Sequence, residues 1–250
     1  RNLADAERLA SLGLMSAGLA HELNTPLVVV KGLAEKLNAA PREGLEPTQA
    51  ALLVRVVRRL ERLGESLLDF ARVRPPQSAP ASLQAIAAEA ITLVKLDREA
   101  AGTEFQNVVP PDLIVPCDAD RMVQVLLNLV RNAVDALRSA GRAGCVRVQG
   151  EFLTREGRRW AGLTVIDDGP GMDPDLVPRL FEPFASTRLD ARGTGLGLAV
   201  AQGIISEHGG VLLARNRTDR TGAIFEIILP ADASPAADAA SPVPQGVRVP

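Results

Sequence analysis

Apolar or helix-compatible residues recur at Leu9, Leu12, Ser16, Leu19, Leu23, Pro26, Val30, Leu33 and Leu37. The intervals alternate between three and four, which is a heptad seam rather than the broad stripe of a surface helix. A helix from about Leu3 to Asn38 is expected, broken by Pro41-Arg42-Glu43-Gly44-Leu45-Glu46-Pro47, where proline and glycine punctuate the chain. A second seam follows at Leu53, Val56, Leu60, Leu63, Leu67 and Phe70, with Arg55, Arg58, Arg59 and Arg62 between those positions as a solvated face. Two antiparallel helices of this kind cannot bury both apolar edges alone. Residues 1–75 are therefore expected to form an all-α helical hairpin that pairs with a second copy as a dimeric four-helix bundle.

The pattern then changes. Arg74-Pro75-Pro76-Gln77-Ser78-Ala79-Pro80 reads as a stiff linker, placing a boundary at 76–80. Residues 81–230 mix the two periodicities. A helix is expected from Leu83 to about Leu96, then strands near Phe105–Val109 and Leu113–Pro116. Asp118 or Asp120 starts a second helix that runs through Met122, Val125, Leu126, Leu129, Val130, Ala133 and Leu137 to near Gly141. Strands at Val146–Phe152 and Ala161–Ile166 precede a loop-rich stretch. Gly195–His208 is a helix with His208 at its cap and Gly209-Gly210 beyond it, and strands at Val211–Arg215 and Ala223–Leu229 complete an α/β sandwich. From Ala231 to Pro250 the Ala/Pro/Ser/Asp-rich composition predicts a disordered tail or linker.

Composition narrows the classes. The 250 residues are 46% hydrophobic with a formal net charge of -2, which suits soluble globular domains and lacks the basic excess of a nucleic-acid binder. Two cysteines, Cys117 and Cys145, show no metal-type spacing and read as small buried hydrophobes in a reducing compartment. Leu27-Val28-Val29-Val30 is cut off by Lys31, far short of the roughly 18 apolar residues a membrane span needs. A cytoplasmic setting without membrane contact is expected for these residues. The chain opens on Arg1 in mid-heptad, as a fragment whose sensor or anchor lies upstream would.

His21 breaks the pattern of the first helix. With Leu9 at an a position, it falls at f, opposite the seam. Glu22 is adjacent, and Thr25, four residues on, shares its face. Pro26 removes a backbone donor and clashes with the carbonyl of Glu22, so a bend is expected just past the histidine. A carboxylate near one ring nitrogen holds the proton there and leaves the other nitrogen as a nucleophile.

Three elements of the second domain recur in order for one site. Asn128 and Asn132 share a face of an otherwise apolar helix and want polar partners, though two exposed amides would also fit. Val165-Ile166-Asp167-Asp168-Gly169-Pro170-Gly171-Met172 ends a hydrophobic strand in a carboxylate and a glycine turn, which alone reads as an ordinary tight turn. Gly193-Thr194-Gly195-Leu196-Gly197-Leu198 opens a helix, where bare backbone donors make an anion site. The run lacks a Walker lysine and does not follow a strand directly.

Taken together these residues resemble the catalytic core of a bacterial two-component sensor histidine kinase, with a nucleotide domain of the Bergerat (GHKL) type. His21 to Leu27 matches the H box, Asn128 to Ala136 the N box and Asp167 to Gly171 the G1 box. Leu180-Phe181-Glu182-Pro183-Phe184 matches the F box, and Gly193 to Leu198 the G2 box. The form of the F box and the short stretch after it resemble the nitrogen-regulation and dicarboxylate-sensor branch. The resemblance implies ATP and Mg²⁺, with His21 as phosphoacceptor, Glu22 as general base and Thr25 as the residue that positions water for phosphatase chemistry. It implies that Asn132 ligates the metal with Asn128 beside it near the phosphates, and that Asp167 accepts the adenine amino group between Gly169 and Gly171. Gly193, Thr194, Gly195, Leu196 and Gly197 would bracket the polyphosphate. Arg188 and Arg192 are both candidates for the γ-phosphate contact, and Asp135 stands where some relatives carry a lysine. The implied partners are a second copy of the chain and the receiver domain of a response regulator. Two rivals remain at this level: a clamp ATPase of the gyrase, mismatch-repair or chaperone kind, which needs no exposed His-Glu pair, and a dimeric scaffold or phosphatase in which ATP only sets conformation.

Overall fold

The computed structural model of the chain describes residues 23–39, 44–71, 76–155, 157–183 and 195–232. The first seam is there as a helix: α1 covers residues 23–39, with Pro26 and Leu33 buried and Leu23, Val30 and Leu37 half-buried along one side. The expected bend past His21 falls on residues outside the described ones. Pro47 starts α2 (Pro47–Ala71), where a missing N–H is no loss. Gln49, in its first turn, accepts from the Glu46 N–H at 3.3 Å and from Lys36 Nζ of α1 at 2.9 Å, which fastens the two helices at the connecting end of the hairpin. On α2 Val56 is buried, with Leu53 and Leu60 half-buried on either side. Leu27, Val28, Val54 and Val57 remain 40–69% exposed, the surplus apolar edge expected of two helices that need more helices around them.

The second domain is a layer of three helices on a five-stranded sheet. Its elements are β1 (Ala79–Ser82), α3 (Leu83–Lys95), β2 (Thr103–Val108), β3 (Ile114–Cys117), α4 (Ala119–Ser139), β4 (Gly144–Arg155), β5 (Arg158–Asp167), α5 (Gly197–Glu207), β6 (Val211–Asn216) and β7 (Ala223–Pro230). The sheet order is β2-β4-β5-β7-β6, antiparallel except for the β2–β4 pair. Alternation along the strands aims Val146, Val148, Leu163, Val165, Phe225, Ile227 and Leu229 at the helices, where Met122, Leu126, Leu129 and Leu137 of α4 receive them fully buried or nearly so. α4 is the central helix. Asp118 caps its start by accepting from the Arg121 N–H at 3.2 Å, and Gly141 leaves its end at φ 63°.

The structure moves one boundary. Ala79 and Pro80, expected in the linker, are already strand: β1 pairs antiparallel with β3, Ala79 opposite Cys117 and Ser82 opposite Ile114. The Gln77 N–H donates to Asp118 Oδ2 at 2.9 Å, so even the preceding residues are tied to the domain. At the other end Ala231 and Asp232 still bond to Arg159; residues 233–250, expected to be a disordered tail, lie outside the described ones. β4 and β5 also run longer than expected, closing into a hairpin whose turn includes Gly157 at φ 73°. Cys117 is buried as expected, its thiol pushed up to about 11 by that burial, whereas Cys145 is half-buried on the sheet's other side.

Two glycines separate strain from space. A Cβ on Gly222, at φ 141°, would stand 2.1 Å from the Asp167 carbonyl oxygen, whereas one on Gly203 inside α5 would meet nothing within 4 Å. Gly222→Ala is expected to destabilise the domain by about 2–4 kcal/mol. Gly203→Ala should stabilise it by roughly 0.5–1 kcal/mol through helix propensity. Chemical denaturation of both variants checks the pair, and equal effects would contradict the backbone geometry described.

Candidate functional site

The last residue of β5 is the one buried charged group among the described residues. Asp167 is 2% exposed, held at the junction of the sheet with α4. Its Oδ1 accepts two backbone donors, Gly169 N–H at 2.8 Å and Ala223 N–H at 3.2 Å. Among the described residues nothing donates to Oδ2. Burial pushes the carboxyl above the ordinary aspartate range, while those two N–H donors and nearby Arg217 pull it back. A buried carboxylate with one oxygen pinned and the other open is an acceptor waiting for an external donor.

The turn after Asp167 is built for close approach. A Cβ on Gly169 would sit 2.7 Å from Asp167 Oδ1 and 3.2 Å from the Ala136 methyl of α4, so only glycine fits between carboxylate and helix. Gly171 takes φ 85°. The side chain of Asn216, at the end of β6, then clasps the next residue: its Oδ1 accepts from Met172 N–H and its Nδ2 donates to the Met172 carbonyl, both at 2.7 Å. The turn is thereby fastened to the sheet at two separate points.

Two helices bring further residues to the same region. Asn128 is half-buried on α4, and its Nδ2 donates to the Gly197 carbonyl at 3.0 Å. That bond joins the N box to the start of α5, so Asn128 acts as a clasp between the two motifs. Asn132 lies one turn further along the same face, half-buried. Gly195 at φ 66° turns the chain into α5, Leu196 is buried at its N-cap, and no side chain among the described residues caps the helix. A helix N-terminus presents N–H groups and positive dipole to an anion. Asp135 pairs with Arg138 Nη2 at 3.4 Å, and Arg138 also reaches Glu99 at 2.6 Å, so this carboxylate faces an arginine of its own helix.

Far from the site, the other end of α5 is fastened to the start of α4. His208 caps α5, as expected, with Nδ1 2.7 Å from the Ile204 carbonyl. Its Nε2 in addition accepts the Asp118 N–H at 3.0 Å, and Arg121 pairs with Glu207 beside it.

Asn128, Asn132, Asp167, Gly169, Gly171, Gly195, Leu196 and Gly197 are thus brought to one region, and Thr25 is exposed on α1. His21, Glu22, Arg188, Arg192, Gly193 and Thr194 lie outside the described residues. Sequence reasoning missed Asn216, Gly222 and the Ala223 N–H. Asn216 lies just past the expected strand Val211–Arg215 and Gly222 just before the expected strand Ala223–Leu229, and only their three-dimensional proximity to Met172 and Asp167 gives them a role.

Comparison with known proteins decides the family. Residues 11–76 match the His Kinase A phospho-acceptor domain, and residues 117–233 match the histidine kinase-, DNA gyrase B- and HSP90-like ATPase domain. The chain belongs to the sensor histidine kinases. Its core is 33% identical to the signal transduction histidine-protein kinase AtoS of Escherichia coli over 92% of this chain and 36% of that protein. It is 35% identical to the sensory histidine kinase/phosphatase NtrB of Rhodobacter capsulatus over 86% of this chain and 61% of that protein, in keeping with the expected branch. The structure of histidine kinase ThkA in complex with its response regulator TrrA superposes with a TM-score of 0.73 at 26% identity, over 91% of this chain and 64% of that one. The chain therefore spans about a third to three-fifths of the length of these curated relatives. Among the described residues no helix is long and apolar enough to cross a membrane.

For this histidine-kinase core, the raised Asp167 carboxyl sets a pH signature. A folded-state value above the unfolded one means that the ionised form opposes folding at high pH, by about 1.4 kcal/mol for each tenfold difference in proton affinity between the two states. Asp167→Asn should therefore raise the melting temperature at pH 8 while weakening nucleotide binding. The gain should shrink as pH falls through the raised value toward the ordinary aspartate range. Thermal melts from pH 8 to 4.5 check this, and a variant less stable than the parent at pH 8 would contradict it.

Proposed function

We propose that this chain transfers the γ-phosphoryl group of ATP to His21 and then passes it to an aspartate on the receiver domain of a response regulator. The observation that carries the nucleotide half is Asp167. Its Oδ2, to which none of the described residues donates, matches the amino group of adenine, which offers a donor and no charge. The N-terminus of α5, held against α4 by Asn128, suits the phosphate end. Asn132, on the same face of α4, would hold Mg²⁺, an ion that supplies neutralisation of phosphate charge when bound.

The chemistry asks for alignment more than for covalent help. An imidazole nitrogen of His21 forms a bond to the γ-phosphorus as the bond to the β,γ-bridging oxygen breaks, and ADP leaves with that oxygen. Glu22 orients the ring and takes the proton from its other nitrogen. Arg188 or Arg192, Gly193 and Thr194 act on the phosphates with Gly195 and Gly197. Thr25, one turn beyond His21 on the exposed side of α1, positions water for the reverse duty of dephosphorylating the receiver. The exposed apolar edge of Leu27, Val28, Val54 and Val57 supports a homodimer through the hairpin. The match of residues 11–76 to a phospho-acceptor domain favours this reading over a clamp ATPase, and a cytoplasmic setting accords with the absence of a spanning helix among the described residues.

Incubation of the chain with γ-labelled ATP and Mg²⁺, followed by acid and by alkali, tests the proposal. Label lost in acid, stable in base and absent from His21→Ala is expected of a phosphoramidate. Hydrolysis without protein-bound label would favour the clamp reading, and label retained in His21→Ala would place the acceptor elsewhere.

A further inference from the structure

Arg217 opens the turn between β6 and β7, and its side chain is only 9% exposed although it carries a full charge. Nη1 donates to Asp168 Oδ1 at 2.9 Å, while Nε and Nη2 make a two-pronged contact with Asp219 at 3.1 and 2.7 Å. The Arg217 N–H closes the turn on the Gly222 carbonyl at 3.0 Å. The two-pronged contact with Asp219 fixes the plane of the guanidinium, and so fixes where Nη1 meets Asp168.

That orientation bears on the residue next door. Asp168 directly follows Asp167, and its other oxygen accepts the Cys145 N–H of β4 at 3.3 Å. Gly222 packs on the Asp167 carbonyl and, with any Cβ added, would also press on Arg217 Cδ at 2.6 Å. Ala223, next in the chain, supplies one of the two N–H groups that pin Asp167 Oδ1. Arg217 thus grips both pieces of backbone that hold the Asp167 carboxylate: the peptide that carries it and the turn that donates to it. Arg220 also reaches Asp168, at 3.5 Å, but it is 58% exposed and its contact is long, so it adds little.

We propose that Arg217 is a positioning residue for base selection, which by gripping Asp168 fixes the Asp167 carboxylate so that it separates adenine from guanine. This rests on Asp167 being the base acceptor, as proposed above. The physical reason is the sign of the contact. At the sixth ring position adenine carries an amino donor and guanine a carbonyl acceptor, which a fixed carboxylate repels. A carboxylate free to turn away keeps some of the attraction for adenine and loses the rejection of guanine, so looseness narrows selectivity before it abolishes binding.

Dissociation constants for Mg-ATP and Mg-GTP, measured on the whole chain and on variants, test this. Arg217→Met should weaken ATP binding about tenfold and change GTP binding less than about threefold, with Arg217→Lys recovering part of the loss, since hydrogen-bonded rejection is where such sites gain selectivity. Arg220→Met should leave the ATP-to-GTP ratio unchanged. Where Arg217→Met folds poorly, Asp168→Asn keeps the shape and weakens the grip, and it should narrow the ratio in the same direction. A purely structural salt bridge would lower both affinities together, and an unchanged ratio in Arg217→Met and Asp168→Asn overturns the proposal. Asp167→Asn separates the two levels. If it collapses the ratio while Arg217→Met does not, only the role of Arg217 fails; if it leaves the ratio intact, the base-acceptor reading fails with it.

Discussion

A single carboxylate, taken almost wholly out of water at the end of β5, constrains the nucleotide domain more than any other group. Burial alone would drive Asp167 to its neutral form or expel it. Two backbone N–H groups, from Gly169 and Ala223, keep it in place by satisfying one oxygen. Those donors come from different parts of the chain, so the carboxylate requires the glycine turn after β5 and the start of β7 to meet at one point. Gly169 must lack a side chain for α4 to come close, and Gly222 must lack one for the β6–β7 turn to come close. The geometry of the site follows from packing two glycine-bearing turns around one charge.

The same logic explains how the start of α5 is presented. A helix N-terminus can serve an anion only if the helix is held from elsewhere. α5 is held at its start by Asn128 and at its far end by the bond between His208 and the Asp118 N–H, with Arg121 and Glu207 beside it. Both fastenings run to α4, whose opposite, apolar face fills the core through Met122, Leu126, Leu129 and Leu137. One helix therefore sets the core, carries Asn132 and fixes the direction of α5. Stability and ligand geometry are coupled through it, and substitutions on its apolar face should disturb the site without touching it.

Periodicity carried most of the fold. The seams of α1 and α2, the helix of α4 and the strands of the sheet are all legible because each buries one regular face, and the period of that face distinguishes helix from strand. β1 was not legible: Ala79-Pro80-Ala81-Ser82 has no alternation, and it exists because β3 offers a partner, with Pro80 and Pro116 opposite each other. The site was legible to the extent that it sits in local motifs. Asp167, Gly169 and Asn128 could be named from their segments, but Asn216, Gly222 and Arg217 act across the sheet on residues about fifty positions away. Long-range partners leave no local pattern. The bond of the Asn128 amide to the Gly197 carbonyl, 69 positions on, was equally without a local pattern.

In the proposed function Asp167, with one oxygen satisfied by backbone donors, takes the donor that a nucleotide brings. Titration of its carboxyl carbon by ¹³C NMR, in the free chain and with ADP bound, tests this directly. The expected midpoint lies above the ordinary aspartate range in the free protein and moves down when the nucleotide donates to Oδ2. An Asp167 resonance that titrates identically with and without nucleotide would contradict it, and the base would have to be held by some other group.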